Sequence, residues 1–398
     1  MHFNVTDEQA MLRASAERLV KQHCVLERRR ERIAREEGDD GQFWSQMVEL
    51  GWPALCIPEE EGGVGGSMTD VALLMIELGR GMCTAPIIST ALVCARLLAD
   101  SAWDERASWV EGAIYQGSRL ALAHLESLDR MEDLSPRHTR AETADEGYRI
   151  SGTKTFVLDG DTAQAFLVTA RSADGSGLIV ALVPESSPGL SWQAYTLIDG
   201  SRAVDLSLDH VTVDARRIVA QGVAAETLVA DALARATVAE LAAAVGSMET
   251  CLDLCSEYLK VRSQFGQPIG KFQALQHMMA DMLIDAHNAR STLYRALASF
   301  DAEPQLRQQA ISAAKIVIGQ AGLTVSRTGI QLHGGYGLTD EFAIGHHHRF
   351  LVRLEKCFGD TYAHKQILAD LVLGHARDEE SGQPLTLPIA TVHTGALS

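Results

Sequence analysis

Two changes of hydrophobic period divide this chain and limit the folds open to it. Up to about Leu120 apolar residues recur at helical spacing: Thr6-Asp-Glu-Gln9 has the form of a capping box and is followed by Leu12, Leu19 and Val20 on one face. Further helical stretches follow Gly41 and run through Met75–Leu78 and Ala91–Leu98, with a break at the glycines from Gly62 to Gly66. Near Leu120 the period becomes alternating or short and continuous. Leu120–Leu125, Tyr148–Leu158, Ala165–Arg171, Leu178–Val183 and Val204–Val213 read as strands separated by turn signals such as Asp174-Gly-Ser-Gly177 and Pro188-Gly189. After Gly222 the chain returns to long alanine-rich helices, Ala224–Arg262, Phe272–Phe300 and Pro304–Leu332, whose length and scarcity of turns predict a helical bundle. The expected organisation is mostly α with a central β domain: residues 1–117 helical, 118–220 β, 221–376 a C-terminal bundle, and 377–398 an aperiodic tail that contact with another subunit would order.

Composition narrows the function classes. A formal net charge of −17 disfavours sequence-independent binding to nucleic acid or to anionic membranes, since both need basic surface. The run Arg28-Arg29-Arg30-Glu31-Arg32 is flanked by acids and reads as a solvated helix face. No window has the length and apolarity of a membrane span, and the N-terminus lacks a charged-then-apolar signal pattern, so a cytoplasmic location is expected. The 7 cysteines are scattered and odd in number, which suggests reduced core thiols; Cys251 and Cys255 share a helix face without a histidine to complete a metal set.

The most specific stretch is Tyr258-Leu-Lys-Val-Arg-Ser-Gln-Phe-Gly-Gln-Pro-Ile-Gly-Lys-Phe-Gln273, followed later by Gln331-Leu-His-Gly-Gly-Tyr-Gly337. An arginine at a helix end can clamp a pyrophosphate with its planar fork of donors, and adjacent glycines let backbone N–H groups approach a phosphate. The two segments in this order resemble the acyl-CoA dehydrogenase flavoproteins, and the similarity runs from about residue 4 to about residue 375. The resemblance implies an α-domain, β-domain, α-domain fold ending in a four-helix bundle, FAD as cofactor, an acyl-CoA substrate and electron-transfer flavoprotein or a similar acceptor. It also implies that Arg262, Gln264 and Phe265, with Gln331, Gly334 and Gly335, reach the flavin of a neighbouring subunit; a structural helix-end arginine is the alternative for Arg262. In the β domain, Gly152-Thr-Lys-Thr-Phe-Val-Leu158 resembles the strand lining the isoalloxazine ring, with Phe156 beside the ring and backbone N–H groups around Val157 and Leu158 as donors. Many relatives carry a hydroxyl residue where Leu158 stands, and their Thr-Glu-Pro segment is replaced by His124-Leu-Glu-Ser127.

The chemistry that the resemblance implies removes a proton α to the thioester while a hydride leaves the β carbon, so a partly desolvated carboxylate must face the α carbon. In Arg349-Phe-Leu-Val-Arg-Leu-Glu-Lys-Cys-Phe-Gly-Asp-Thr361 the family's usual base position is held by Phe358, and a second position used by some relatives is held by Ala236. Glu240, four residues after Ala236 and therefore on the same helix face, is the candidate base, with a solvated or packing glutamate as the alternative. Glu355 and Asp360 align with neither position. His346-His347-His348 is not expected to bind metal, because consecutive side chains diverge around a helix; positioning of the catalytic segment or contact with coenzyme A suits it better.

Empty base positions leave two arrangements open within the family. The chain is either a homomeric enzyme using Glu240 or the flavin-site-building subunit of a heteromeric enzyme whose related chain carries the base, as in bacterial members that form hetero-oligomers; a homo- or hetero-tetramer is expected accordingly. A flavin-dependent monooxygenase of the same fold, which needs no α-proton base, is the alternative from another reaction class.

Overall fold

The computed structural model describes residues 5–38, 40–127, 138–144, 147–175 and 177–373; the expected tail lies outside the described residues. Its N-terminal part contains α1 (Asp7–His23), α2 (Leu26–Ala34), α3 (Gly41–Glu49), α4 (Met68–Arg80), a π-helical segment Ile87–Ala95 that runs into α5 (Arg96–Asp100), and α6 (Arg106–Tyr115). The Thr6 capping box forms as the sequence indicated: the Gln9 N–H donates to Thr6 Oγ1 at 3.2 Å and the Thr6 N–H to Gln9 Oε1 at 3.1 Å. A second box, missed because its acid is Asp70, has Ser67 at the cap of α4, and Gln9 Nε2 donates to Asp70 Oδ1 at 2.8 Å, tying the two helix starts together. The expected helix Ala91–Leu98 begins earlier and is π-wound over Ile87–Ala95. Its Thr90 hydroxyl donates to the Leu120 carbonyl and accepts from the Leu120 N–H, pinning the helix to the first strand.

That strand is β1 (Leu120–Ala123), followed by β2 (Arg140–Ala144), β3 (Gly147–Leu158), β4 (Ala165–Ser172), β5 (Leu178–Pro184), β6 (Leu190–Thr196), β7 (Arg202–Asp214) and β8 (Ile218–Gln221). They form one sheet in the order β6-β7-β3-β2-β4-β5-β8, with β1 parallel to β4. The sequence pattern identified the strands with strong alternation or continuous apolar runs and missed β2, β6 and β8. β6 and β8 are at the ends of the sheet order, and β6 exposes most of its side chains; such strands carry a weak hydrophobic signal.

The C-terminal part is a bundle of α7 (Gly222–Val261), α8 (Gln273–Ala298), α9 (Pro304–His333), α10 (Ala343–Lys356) and α11 (Thr361–Leu373). Between α7 and α8 the short strands β9 (Ser263–Gln264) and β10 (Gln267–Pro268) form a hairpin. Its tip is Phe265-Gly266, both with positive φ, as a two-residue turn of this twist requires. No helix of the described residues is long and apolar enough to cross a membrane. α7 and α4 pack backbone to backbone: a Cβ on Gly246 would overlap the Ile76 carbonyl, and one on Gly79 would overlap the Ala243 carbonyl.

The Arg28–Arg32 run is only partly the solvated face that was expected. Arg29 is buried and donates to the carbonyls of Met82, at 2.7 Å, and Asp199. Arg32 donates to Thr84 Oγ1 at 3.1 Å. Charge count alone cannot distinguish such a strut from its exposed neighbours.

Inside the sheet Lys154 is buried, with Nζ 3.0 Å from Glu126 Oε1 and 3.0 Å from the His124 carbonyl. Burial lowers Lys154 to about 8 against the pull of Glu126. Burial acts to raise Glu126, but Lys154 and bonds from Thr139 and His138 bring it down to about 2. Both groups are therefore charged at neutral pH. Because Glu126 is lower in the folded chain than its ordinary 4.5, its contribution is complete above that pH and disappears as pH falls toward about 2.

Glu126→Gln should lose about 3–5 kcal/mol at pH 7 by leaving Lys154 buried without its counter-charge, and should flatten the acid limb of stability seen by urea denaturation at successive pH values. An unchanged acid limb would exclude this pair as its source. Gly246→Val should lower the urea midpoint by a loss of about 1–3 kcal/mol from overpacking, while Gly41→Ala, where an added Cβ meets nothing within 4 Å, should not.

Candidate active site

A cavity of about 130 Å³ lies where the three parts of the chain meet. α7 supplies Ala230, Leu233, Ala234 and Thr237, spaced to share one helix face, and their small or apolar side chains leave room along it. The π-helical segment adds Ser89 and Val93; the sheet adds Leu122, His124, Leu125, Phe156 and Leu158. Gln308 and Ile311 of α9, the Cys357–Phe358 loop, and His364 and Ile367 of α11 complete the lining. No aspartate or glutamate is among these residues.

Phe156 is aimed into the cavity by a β-bulge. The register of β3 against β7 slips between Lys154 and Val157, and Phe156 takes φ +55°. The Asp205 carboxylate gathers the bulge, accepting from Thr155 Oγ1 at 2.6 Å, from the Phe156 N–H at 3.1 Å and from the Tyr195 hydroxyl at 3.0 Å. Burial, then Asp205, push the Tyr195 phenol up to about 12, so it remains a donor. Extra residues in a strand commonly serve to redirect a side chain in this way. Val157 packs into the core of the sheet, so only its backbone can serve the cavity, and Leu158 lines it.

Phe358 also lines the cavity and has φ +54°, uncommon for a bulky residue. Its loop is held from two sides. The buried Lys315 ammonium donates to the carbonyls of Leu354 and Cys357, each at 2.7 Å, and His364 Nε2 lies 3.0 Å from the Phe358 carbonyl.

The structure does not bring Glu240 to this cavity. Glu240 is buried and borders an adjacent cavity of about 50 Å³ with Ser201, Asp159 and Arg353. Its Oε1 accepts from Arg353 at 3.0 Å, while Oε2 has no partner among the described residues. Arg353 Nε in turn donates to Asp199 Oδ2 at 2.8 Å. Burial raises Glu240 above the ordinary carboxylate range, with Arg353 and Lys315 opposing the shift; burial likewise acts to raise Asp199, but Arg353 and Arg29 hold it below that range. Helix-face reasoning put Glu240 on the correct side of α7 but could not show that the helix passes beyond the cavity before reaching it. Ala236 is buried in the core and does not line the cavity. Glu355 accepts from the Thr361 N–H at 2.9 Å, and Asp360 caps α11 through the N–H groups of Tyr362 and Ala363.

A separate open groove forms at the other end of α7. It is lined by Arg262, Gln264, Gln331, Gly334 and Gly335, together with Tyr258, Tyr336 and Thr339. The Arg262 guanidinium lies 5.7 Å from the Tyr336 ring centroid, and among the described residues no carboxylate pairs with it. Gly334 needs its φ of +61°, but nothing in this chain crowds Gly335, where a Cβ would meet no atom within 4 Å. An unpaired guanidinium beside bare glycine backbone suits an anion such as a pyrophosphate, so the residues present fit FAD at this groove. Phe265 does not line the groove; it stands 91% exposed at the hairpin tip. The groove and the cavity share no lining residue, and Thr237 and Arg262 lie on the order of 37 Å apart along α7.

The three histidines diverge as expected: His346 Nε2 faces the Asp340 carbonyl, His347 Nδ1 the Ser247 hydroxyl and His348 Nδ1 the Ser326 hydroxyl. Burial lowers His347 to about 3, so it is neutral at physiological pH.

Models of the acyl-CoA dehydrogenase N-terminal, middle and C-terminal domains match residues 6–114, 130–211 and 221–373. The chain is 30% identical to the acyl-CoA dehydrogenase IpdE2 of Mycobacterium tuberculosis, over 84% of this chain and 88% of that protein. It is 28% identical to the acyl-CoA dehydrogenase FadE27 of the same organism, over 88% and 92% of the two chains. A chain in the crystal structure of the ChsE4–ChsE5 complex from M. tuberculosis superimposes with a TM-score of 0.84 at 26% identity, covering 93% of this chain and 99% of that one. Domain matches along nearly the whole described chain, and relatives matched over most of their length, show that it belongs to the acyl-CoA dehydrogenase family, whose members are FAD-dependent.

Proposed function

We propose that this chain is the flavin-site-building subunit of a heteromeric, FAD-dependent acyl-CoA dehydrogenase, and that the base abstracting the α proton stands on a related partner chain. The observation that carries this reading is the cavity lined by Phe156, Leu158 and Phe358, which has no carboxylate on its walls. Removing an α proton needs a base against the α carbon, and Phe358 holds the place from which relatives present one. Glu240, engaged by Arg353 beside a different cavity, is left as a structural anion. A homomeric enzyme using Glu240 is the disfavoured alternative.

The groove at Arg262 supports the same assembly. Arg262, Gln264, Gln331 and the Gly334–Gly335 backbone would hold the pyrophosphate and adenine half of a flavin seated mainly on the neighbouring chain, with Phe265 packing against that chain. FAD, when bound, supplies the hydride acceptor for the β carbon. Within this chain, Phe156 and Leu158 shape an apolar wall, and the backbone at Val157 and Leu158 is the available donor surface. Two structural neighbours make a related subunit the natural partner: one is a chain of the ChsE4–ChsE5 complex, and the other belongs to the Tcur3481–Tcur3483 steroid acyl-CoA dehydrogenase G363A variant. Bulky ring-bearing acyl groups are therefore the first substrates to test, with electron-transfer flavoprotein or a similar protein as acceptor and the cytoplasm as the site of action.

The deciding measurement is acyl-CoA-driven bleaching of bound flavin. The chain purified alone should show none. The complex with a family member that keeps glutamate at the position of Phe358 should bleach, and Glu240→Gln on this chain should leave that rate within about twofold. A homomeric preparation that bleaches and loses about a hundredfold in rate with Glu240→Gln would overturn the proposal.

Arg262→Ala should lower the flavin content of the complex after gel filtration, since each charge-assisted bond removed is worth about 1.5–3 kcal/mol, while subunit stoichiometry persists. Full flavin retention would remove Arg262 from the site.

A further inference from the structure

The smaller cavity, of about 50 Å³, differs in chemistry from the apolar one beside it. The two are successive along α7: Thr237 borders the larger, and Glu240, about 4.5 Å further along the axis, borders the smaller. Ser89 and Leu158 line both, so one serine and one leucine stand between them. Beyond that partition apolar side chains are joined by Thr84, Asp159, Ser201, Glu240 and Arg353. The donors on these walls are largely committed within the chain. Ser89 Oγ donates to Asp159 Oδ2, Ser201 Oγ to Asp199 Oδ1, and Thr84 Oγ1 to the Gly38 carbonyl at 2.6 Å. Arg353, the only cation on the walls among the described residues, gives Nε to Asp199 at 2.8 Å and Nη1 to Glu240 at 3.0 Å. What remains for a visitor is mainly acceptors: the hydroxyl oxygens and the Asp159 carboxylate, under the negative charge of Glu240.

We propose that the two cavities form one acyl-binding site, and that it selects acyl groups carrying a hydroxyl, not a carboxylate, at the end remote from the thioester. The apolar compartment takes the hydrocarbon, whose removal from water drives binding. The hydroxyl passes Ser89 and Leu158 and donates in the second compartment, with Asp159, which follows Leu158 directly, as its acceptor. The smaller cavity has room for a water-sized group, and a hydroxyl that replaces such a water keeps its hydrogen bonds. A carboxylate in the same place would meet Asp159 and Glu240, with only an already engaged guanidinium to offset them, and buried like charges are strongly disfavoured. A methyl end escapes that repulsion but leaves acceptors unpaired.

This inference rests on the reading of the chain as an acyl-CoA dehydrogenase subunit, and not on which chain carries the base. Asp159 suits a test because asparagine also adopts its φ of +56° readily, and an asparagine carbonyl can still accept from Ser89.

The test is calorimetric titration of the full-length chain, purified alone and supplied with FAD, with three CoA thioesters of one ring-bearing acyl skeleton whose remote carbon carries a hydroxyl, a methyl or a carboxylate. The hydroxyl compound should bind about tenfold or more tightly than the carboxylate compound, with the methyl compound between them. Asp159→Asn, which removes a charge and adds an amide donor, should bring the hydroxyl and carboxylate compounds within about threefold of each other. Equal affinities for the three in the wild-type chain, tightest binding of the carboxylate, or binding of none would overturn the proposal, and this comparison does not require a variant to fold. The wild-type order kept in full by Asp159→Asn would overturn the assignment of Asp159 as acceptor. Flavin bleaching during the titration would count against a base on the partner chain but not against this site, which is judged by the order of affinities alone.

Discussion

The arrangement of the three parts depends on one buried line of charge. Arg29 from the N-terminal helices meets the backbone of Asp199, the Asp199 carboxylate meets Arg353 of α10, and Arg353 meets Glu240 of α7. Asp199 belongs to the connection between β6 and β7, so the line crosses from helices to sheet to bundle. A buried carboxylate or guanidinium is tolerated only when opposite charge and donors surround it, and removing one partner strands the other. The cost of separating these groups therefore falls on any movement of one part against another. The cavity lined by all three parts lies beside this line, and its shape depends on it.

That dependence explains the two roles a glutamate can have on α7. A base needs an oxygen directed at substrate and only weakly engaged elsewhere. Glu240 is raised by burial and gives one oxygen to Arg353, while the other, without a partner among the described residues, belongs to a side chain that borders the smaller cavity and not the apolar one. The apolar cavity is complete without it. Asp205 serves similarly at a distance, accepting three donors to fix the bulge that aims Phe156.

Much of this was legible in the sequence where a local rule applied. The period changes gave the order of helices and strands, the spacing of apolar residues gave the long helices within a residue or two, and the two motif segments proved to converge on one groove. Long-range pairings were not legible. Nothing near Arg29 reveals that it crosses to Asp199, nothing near Lys154 identifies Glu126 as its partner, and β2, β6 and β8 carry too few inward apolar residues to stand out. The placement of Glu240 beside the smaller cavity was hidden for the same reason, because a helical wheel gives direction around the axis but not which cavity the helix borders at that height. The outward stance of Phe265 at the hairpin tip, apart from the groove that Arg262 and Gln264 line, was likewise not readable from its place in the sequence.

α7 is a single helix of 40 residues, or about 60 Å. It borders the cavity near one end and presents Arg262 at the other, and between them its backbone bears directly on α4 at Gly246 and Gly79. Such a rod has little freedom to bend, so its contact with α4 acts as a fulcrum. A tilt caused by filling the cavity would swing Arg262 in the opposite direction, making α7 a lever that couples the apolar cavity to the groove at its far end.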